Sequence, residues 1–576
     1  MKRLKSKNHL LIAAMLLSLL LSGCSGSEQP GVVYKKSAKS DTVRQESVQP
    51  ESGPKVSAQS ESVSKTSAES GTVPKESVQA ETVPKESAEG GSVHNEPPQA
   101  LTGKADAVGK KAGTDTEADT AVDVPQETGT GQAAAQDSRR GDSGKAAAQD
   151  SGQGDSGQAA ARDSGGGDSA RAECLSTLSH DGYTLEQVVV LSRHNIRSPF
   201  SSKGAVLERI TPHEWVSWSS NPSELSLRGG ALETMMGQYF RKWMEEDGLF
   251  PENYQPEDGA VRIYANAKQR TIATARFFSS GLLPTADPQV ETHVDYDDMD
   301  PAFKPQLTFV NDAYIRDIED QVMELHEKDL ADLEDNYRLL EDILDIEDSP
   351  AWQNGEVEAF RTDDTELILN LNAEPNLSGS LKMAGRISDA LVLQYYEEPD
   401  QKKAAFGHEL TQEQWRMVGE VKDTYQEILF ALPLIAPNVA HPLLMVINDE
   451  LADRNRKFTF LCGHDSNLQS VLGALGAEDY ILPYSIENEI PIGSKLVFSR
   501  WTDADSGKWI SLDLVYQTAD QLRGLTLLDM DTPPAIVPVT LKHMERNEDG
   551  LYAEEAVMSR IEQAIAEYDQ IKARYE

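Results

Sequence analysis

An apolar, β-branched run in this chain ends in two arginines and a histidine. Residues 188–199 read VVVLSRHNIRSP, in which Arg193, His194 and Arg197 follow the run directly. A strand that ends here would hold an imidazole between two guanidinium groups. Each guanidinium presents a planar fork of donors that fits phosphate oxygens in pairs, and a histidine nitrogen can attack phosphorus and carry it covalently. The run therefore predicts phosphoryl chemistry.

A second junction between a strand and a helix carries another histidine and an aspartate. Residues 458–475 read FTFLCGHDSNLQSVLGAL. The first five residues are expected to form a buried strand, Gly463 to permit a sharp turn, and the apolar residues that follow recur at helical spacing. His464 and Asp465 would then lie on the ligand side of an open α/β sheet, where the N–H groups of a helix N-terminus favour an anion.

The remaining patterns predict an α/β core that is interrupted by a helical lobe. Strands are expected at 187–192, 261–265, 457–462, 495–501 and 509–517, the last two as a hairpin across 503–507. Helical patterns cover 312–344, 381–396 and 411–432. We therefore expect a three-layer α/β core at roughly 180–300 and 440–576, with an inserted α-helical lobe at roughly 301–440. The active site is expected in the crevice between them.

The N-terminus is predicted to export the chain. Four cationic residues among the first seven precede the apolar stretch 10–21, which Leu-Ser-Gly-Cys closes at Cys24. This stretch is shorter than the roughly 20 residues of a membrane-spanning helix, so 1–23 is interpreted as a signal peptide. The last four residues resemble a bacterial lipobox, which implies a lipid on the Cys24 sulfur. We expect a lipid-anchored protein on the extracytoplasmic face of the cell membrane; a soluble secreted product and an uncleaved anchor are the alternatives.

Residues 24–171 are predicted to be a disordered, low-complexity tether. Ser, Gly, Ala, Gln and charged residues dominate this segment, and degenerate repeats such as VPKES at 73–77 and 83–87 run through it. Such a composition cannot bury enough apolar area to offset the entropy lost on ordering. A flexible tether is therefore expected, with adhesion or wall binding as the alternative. The folded domain is expected at 172–576.

Charge and cysteine content exclude several classes of partner and site. A formal net charge of −41 argues against nucleic acid and against an anionic lipid surface as partners. Once Cys24 is lipidated, only Cys174 and Cys462 remain, so neither a disulfide framework nor a cysteine metal site is expected. These two are free thiols or form a single bridge. The aspartates at 295–300 lack the glycine and glutamate of an EF-hand loop and are interpreted as a solvated acidic loop.

The two junctions together resemble the histidine acid phosphatases, a branch of the histidine phosphatase superfamily that includes bacterial phytases and periplasmic glucose-1-phosphatase. The resemblance continues through 225–244, 264–278, LQYYE at 393–397 and IPIGSKLVFSRW, and covers essentially everything after the tether. It is closest to glucose-1-phosphatase, because phytases of this type usually have glycine where Asn195 stands and lack the YYE.

The resemblance implies a role for each of seven residues and requires neither metal nor cofactor. It implies His194 as nucleophile, Arg193, Arg197 and Arg270 as phosphate clamps, His464 as a further donor to oxygen, Asp465 as the acid that protonates the leaving oxygen, and Glu397 as a sugar contact. Because an acid must be protonated to act, activity is expected to favour low pH unless burial raises the pKa of Asp465.

The sequence thus predicts a phosphomonoesterase that hydrolyses sugar phosphates such as glucose 1-phosphate through a phosphohistidine. The nearest alternative is a phytase that uses the same site. A non-catalytic surface lipoprotein that binds a phosphorylated or sugar ligand, and a phosphate-scavenging mutase, are alternatives of other classes. Retention of both His194 and Asp465 speaks against the first of these, and the export signal speaks against an intracellular mutase. The partner is a small phosphate ester, and the oligomeric state stays open.

Overall fold

This computed structural model describes residues 176–200 and 205–576. The predicted signal peptide, Cys24, the tether and Cys174 lie outside these residues, so the lipid anchor, the disorder of 24–171 and the domain boundaries stay predictions. Cys462 is a buried free thiol. None of the helices in the two described ranges is both long and apolar enough to cross a membrane.

A mixed eight-stranded sheet forms the centre of the fold. The strands of the chain are β1 Thr184–Arg193, β2 Val261–Ala265, β3 Val290–Glu291, β4 Glu366–Ile368, β5 Asn376–Ser378, β6 Phe458–Gly463, β7 Lys495–Thr502, β8 Lys508–Tyr516, β9 Ala535–Pro538 and β10 Tyr552–Ala553. The order across the central sheet is β10-β8-β7-β1-β6-β2-β3, with β9 also paired to β8. Strands β1, β6, β2 and β3 run parallel, while β7 is antiparallel to β1. The short β4 and β5 pair separately.

Eleven α-helices accompany these strands in the described residues. They are α1 Leu227–Glu246, α2 Gln269–Leu282, α3 Asp312–Leu344, α4 Pro350–Gln353, α5 Ser380–Glu397, α6 Gln401–Ala404, α7 Gln412–Phe430, α8 Ala436–Ala452, α9 Asp465–Leu475, α10 Ala519–Gly524 and α11 Glu554–Tyr575. Short 3-10 helices span Val206–Glu208 and Ile346–Asp348.

Alternating apolar residues on β1 divide the core into two layers around the sheet. Val188 and Val190 are buried among side chains of α1 and α2 on one face. Val189 and Leu191 are buried among side chains of α8, α9 and α11 on the other face. Because successive side chains of a strand point to opposite faces, one β-branched run serves both helical layers. The predicted three-layer α/β core is confirmed.

Helices α3, α5 and α7 form the inserted lobe between β3 and β6. They share a third hydrophobic cluster, in which Tyr337, Leu391 and Trp415 are buried. Helix α7 packs against both α3 and α5. Its first turn is fixed by a capping box between Thr411 and Gln414. The lobe helices therefore pack around one cluster, which also includes Ile196 and Leu232 of the α/β core, and α5 and α7 are two packed elements of this lobe.

The predicted strands and helices lie where the patterns placed them, with two local differences. The hairpin across 503–507 is present, and Gly507 donates its N–H to Oδ1 of Asp503 at 2.7 Å. Gly463 is not a turn residue: it ends β6, and a Cβ there would collide with Oδ1 of Asn467. In the acidic loop, Asp300 is buried and accepts from the hydroxyl of Tyr264 at 2.7 Å. The solvated interpretation was wrong for Asp300, because a tyrosine supplies the partner that water would otherwise provide.

Candidate active site

The two predicted junctions meet at one edge of the sheet because β1 and β6 are parallel neighbours. Arg193 pairs in register with Gly463. The backbone N–H of His194 then donates to the carbonyl oxygen of Gly463 at 3.1 Å. The carboxyl ends of both strands therefore deliver their next residues, His194 and His464, side by side, with ring centroids 5.5 Å apart.

His194 is buried, neutral and fixed in one tautomer. Nδ1 lies 2.9 Å from the carbonyl oxygen of Asn195, and since a carbonyl oxygen only accepts, Nδ1 carries the proton. The lone pair is therefore on Nε2. Burial, and next the positive charge of Arg270, lower the pKa of His194 well below its ordinary value. A neutral imidazole with a free Nε2 is the form that can attack phosphorus.

Three buried arginines surround this imidazole. Arg193 donates from Nη1 to Oε1 of Glu487 at 2.6 Å, and Arg197 donates from Nη2 to Oδ2 of Asp389 at 2.9 Å. Nη2 of Arg270, on the first turn of α2, lies 3.3 Å from Nδ1 of His464. Within the described residues, the Nε atoms of Arg193 and Arg197 are buried without a hydrogen-bond partner. Buried donors of this kind require an acceptor, and a phosphate oxygen is well suited to them.

His464 presents a second ring nitrogen to the same region. Asn266 uses Oδ1 to accept from the backbone N–H groups of Ala267 and Asp300, so its Nδ2 is the atom 2.7 Å from Nε2 of His464. Nδ1 of His464 lies on the side of Arg270, 3.3 Å from Nη2 of its guanidinium group. His464 and Arg270 therefore lie side by side next to the imidazole of His194.

Asp465 begins α9 and is the most exposed member of the cluster. Its Oδ2 lies 3.1 Å from Nη2 of Arg193 and 3.7 Å from Nζ of Lys422. Its side chain is 18% exposed, compared with 2% for Arg193. Burial alone would raise the pKa of Asp465, but the charges of Arg193 and Lys422 outweigh it and hold the pKa below its ordinary value. Asp465 is therefore ionised when no phosphate is bound, and the proton it needs as an acid has to accompany the substrate.

Four residues of this site have no local sequence signal. Lys422 and Asp389 lie on the lobe helices α7 and α5, Glu487 lies in the loop before β7, and Phe200 follows Pro199. The ring of Phe200 covers the guanidinium of Arg197 at 3.9 Å and lies 5.2 Å from that of Arg270. The helical patterns at 381–396 and 411–432 located two of these residues, but periodicity does not reveal which polar residue on a helix contacts the other domain. The lobe thus completes the site.

Glu397 lies apart from the residues that converge on His194. It ends α5, two turns beyond Asp389, and accepts from the hydroxyl of Ser226 at 2.8 Å. Burial raises the pKa of Glu397 despite that hydrogen bond. Glu397 also lines a cavity of about 670 Å³ together with Glu398, Lys402, Lys403 and Phe406. Ser226 connects the two places, since its backbone N–H donates to the carbonyl oxygen of Ile196 at 2.9 Å.

The geometry brings six of the seven predicted site residues into one cluster. A neutral nucleophile lies among three guanidinium groups, and a carboxyl group stands at its more exposed side. Fixed cations of this kind stabilise the charge on the equatorial oxygens of a phosphoryl group, where positioning and electrostatics provide most of the catalysis. The cluster can therefore transfer a phosphoryl group from an ester to nitrogen and protonate the departing oxygen.

Comparisons with known proteins agree with this chemistry. A family model described as histidine phosphatase superfamily (branch 2) matches residues 184–517. Glucose-1-phosphatase of Providencia rettgeri is 36% identical over 390 residues, which are 65% of this chain and 90% of that protein. Glucose-1-phosphatase of Salmonella typhimurium is 38% identical over 366 residues, 63% of this chain and 88% of that protein. The solved structure of Hafnia alvei phytase covers 67% of this chain and 98% of its own, with a TM-score of 0.62 and 26% identity.

Proposed function

Since the chain belongs to branch 2 of the histidine phosphatase superfamily and is a histidine acid phosphatase, we propose that it hydrolyses sugar phosphates such as glucose 1-phosphate through a phosphohistidine on His194. The observation that carries the proposal is the neutral imidazole with its lone pair on Nε2 among Arg193, Arg197 and Arg270. Three buried cations disfavour protonation of the His194 imidazole and so keep its lone pair available. A histidine with a purely structural role does not need this arrangement.

The reaction follows from the positions of the site residues. The Nε2 lone pair of His194 forms a bond to phosphorus as the bond between phosphorus and the ester oxygen breaks. The departing oxygen keeps that electron pair and takes a proton from the Asp465 carboxyl group. Water then gives a proton to the Asp465 carboxylate and bonds to phosphorus, while the bond between Nε2 and phosphorus breaks. Asp465 is then protonated again, and this proton is released when inorganic phosphate leaves, which returns the free site to its ionised state.

Substrate binding supplies the proton that the free site lacks. A phosphate ester brings negative charge to Arg193, Arg197 and Arg270, which offsets the cations that hold the pKa of Asp465 down. The ester also carries a proton of its own below its second pKa of about 6. Binding of the monoanion therefore leads to the same state as binding of the dianion to protonated Asp465. Both routes favour acidic pH.

The charges of the site fit one phosphate better than several. The ion pairs around His194 contain the cations Arg193, Arg197 and Lys422 and the carboxylates Asp389, Asp465 and Glu487. Arg270 adds a further positive charge, so the cluster offers little excess positive charge for additional phosphate groups. This balance supports a sugar monophosphate as substrate, as does the higher identity to the two proteins named glucose-1-phosphatase than to Hafnia alvei phytase.

A phytase is the second candidate, because solved structures similar in fold to this chain include phytases. The test is the value of kcat/KM of the purified protein for glucose 1-phosphate, phytate and an aryl phosphate. The proposal requires glucose 1-phosphate to be used more efficiently than phytate, and the reverse order would support the phytase. Absence of turnover with all three, together with measurable binding of phosphate or sugar, would support a non-catalytic binding protein and reject the proposal.

We also propose that Glu397 contributes to substrate preference, and we expect Glu397→Gln to change it. A carboxylate that Ser226 links to the segment containing His194 can accept hydrogen bonds from sugar hydroxyls and repel additional phosphate groups. Its neutralisation is therefore expected to lower the ratio of kcat/KM for glucose 1-phosphate to that for phytate by several-fold. Glu413→Gln, at an exposed position on α7, is the control and should leave the ratio unchanged. If both variants keep the wild-type ratio, Glu397 has no part in substrate preference.

The site of action proposed here is the extracytoplasmic face of the membrane, with the chain held by a lipid on Cys24. The charged start, the apolar stretch 10–21 and the closing Leu-Ser-Gly-Cys support this proposal. In cells that express Cys24→Ala, most of the phosphatase activity is therefore expected to move from the membrane fraction to the soluble fraction or medium, with kcat unchanged. An equal membrane-bound share for both proteins would contradict the lipid anchor.

A further inference from the structure

A closed ring of hydrogen bonds lies directly behind the imidazole of His194. Nδ1–H of His194 donates to the carbonyl oxygen of Asn195 at 2.9 Å. The side-chain Nδ2 of Asn195 donates to Oε1 of Glu233 at 2.9 Å, and Nζ of Lys495 donates to the same oxygen at 2.9 Å. Lys495 also donates to the carbonyl oxygen of Gly493 at 2.6 Å, and the N–H of Gly493 donates back to the carbonyl oxygen of His194 at 3.2 Å.

The charged pair in this ring is fully buried. Glu233 and Lys495 are both 0% exposed, and Asn195 is 1% exposed. Each polar group inside a protein needs a partner, and removal of one partner leaves the other group costly to bury. A buried ion pair is weak evidence for stability, because apolar residues of the same volume often serve as well. Its position, one side chain away from the proposed nucleophile, therefore calls for another reason.

The local backbone is adapted to bring these groups together. Gly493 has a φ of 68°, and a Cβ at this position would collide with Nδ2 of Asn195 and lie 3.3 Å from Oε1 of Glu233. Oδ1 of Asn195 accepts from the N–H of Ile196 at 2.8 Å, which directs Nδ2 of the amide towards Glu233. The Asn195 peptide is thus held from its side chain as well as along the main chain.

We propose that Glu233 and Lys495 are positioning residues that act through Asn195 to hold the imidazole of His194 with its proton on Nδ1 and its Nε2 towards the phosphate. This inference rests on the proposed phosphohistidine mechanism. When Nε2 bonds to phosphorus, the imidazole becomes positively charged, and the hydrogen bond from its Nδ1–H to the Asn195 carbonyl becomes charge-assisted. A carbonyl that is fixed in place before the reaction stabilises that charge without reorganisation.

If the hydrogen-bonded ring positions His194, its loss changes the rate of phosphoryl transfer, whereas loss of a purely structural ring does not. None of the side chains in this hydrogen-bonded ring except His194 belongs to the cluster proposed to bind phosphate, so substrate affinity should not depend on the ring. The rate of phosphoryl transfer to Nε2 should depend on it, because that step creates the charge on the imidazole. A ring that only stabilises the fold would change the melting temperature and leave kcat as it is.

Asn195→Ala provides the test, because it removes the amide and keeps the Glu233–Lys495 pair and the backbone carbonyl. We expect kcat for glucose 1-phosphate to fall about tenfold or more, with KM and the inhibition constant of inorganic phosphate within twofold of wild type. The rate of phosphohistidine formation in a rapid-quench experiment should fall by the same factor as kcat. Asn195→Gly removes the same amide and takes the place of the alanine variant if the latter does not fold.

Asn336→Ala is the matched control. Asn336 is a buried asparagine of the lobe whose Nδ2 donates to Oε2 of Glu420 at 2.8 Å, the same kind of bond between α3 and α7 instead of behind His194. This variant should lower stability and leave kcat within twofold. The inference is overturned if both Asn195 variants keep kcat within twofold, or if they weaken phosphate inhibition as much as they lower kcat. Failure of wild type to form phosphohistidine would instead reject the proposed mechanism.

Discussion

Replacing His194 with alanine is expected to abolish hydrolysis of glucose 1-phosphate, phytate and aryl phosphate alike, with kcat lower by at least about 10⁴-fold. Loss of the nucleophile removes the covalent route for every substrate, whatever its leaving group. The arginines stay in place, so inorganic phosphate should still bind. Steady-state rates for the three substrates, together with phosphate binding measured by calorimetry, check both parts of this prediction.

The control for this variant is His543→Asn. His543 is exposed and has a φ of 62°, a backbone conformation that asparagine tolerates. We expect wild-type rates for this variant, which would show that loss of a histidine as such has no effect. If His194→Ala retained more than a few per cent of wild-type kcat while folded, phosphoryl transfer through this imidazole would be wrong.

Asp465→Asn is expected to lower the rate of phosphohistidine formation from glucose 1-phosphate by about 10²- to 10⁴-fold and the rate of its formation from an aryl phosphate much less. The asparagine has the same shape but cannot deliver a proton to the departing oxygen. An alkoxide needs that proton, whereas an aryl oxide is stable enough to leave without it. The measurement is the rate of phosphohistidine formation from both esters in a rapid-quench experiment at a pH below about 6, where the ester still carries its own proton.

Two further results give this prediction its specificity. Asp389→Asn removes a carboxylate that pairs with Arg197 and lies outside the proton path, so its effect should be similar for both esters. Asp465→Asn should also leave the first turnover of the aryl ester nearly intact and slow the attack of water, for which Asp465 is the base. Equal losses for both esters in Asp465→Asn would mean that Asp465 holds Arg193 in place and does not transfer the proton.

The sequence predicted the fold where local patterns are strong. The β-branched run before Arg193 has the composition of a strand buried on both faces, and the structure uses both faces of β1. In the central sheet, the short strands β3, β9 and β10 escaped prediction, since two to four residues are too few to show a period. Their pairing depends on the sheet that already exists beside them.

The site was predictable where its residues follow a strand directly. His194 and Asp465 each lie at such an end, but their proximity depends on the parallel pairing of β1 with β6, which no local pattern states. Lys422 could not be recognised, because a lysine within an amphipathic helix is ordinarily solvated. The ionised state of Asp465 was unpredictable for the same reason: it depends on how many cations the tertiary fold brings near one carboxylate.

The most direct test of the account is to trap the phosphoenzyme. The protein is mixed with glucose 1-phosphate, quenched in alkali, in which phosphohistidine survives, and analysed by mass spectrometry of its peptides. We expect one phosphoryl group on the peptide that contains His194. It should form at a rate at least equal to kcat and be absent from His194→Ala. Turnover without phosphorylation of His194, or phosphorylation of another residue at a competent rate, would contradict it.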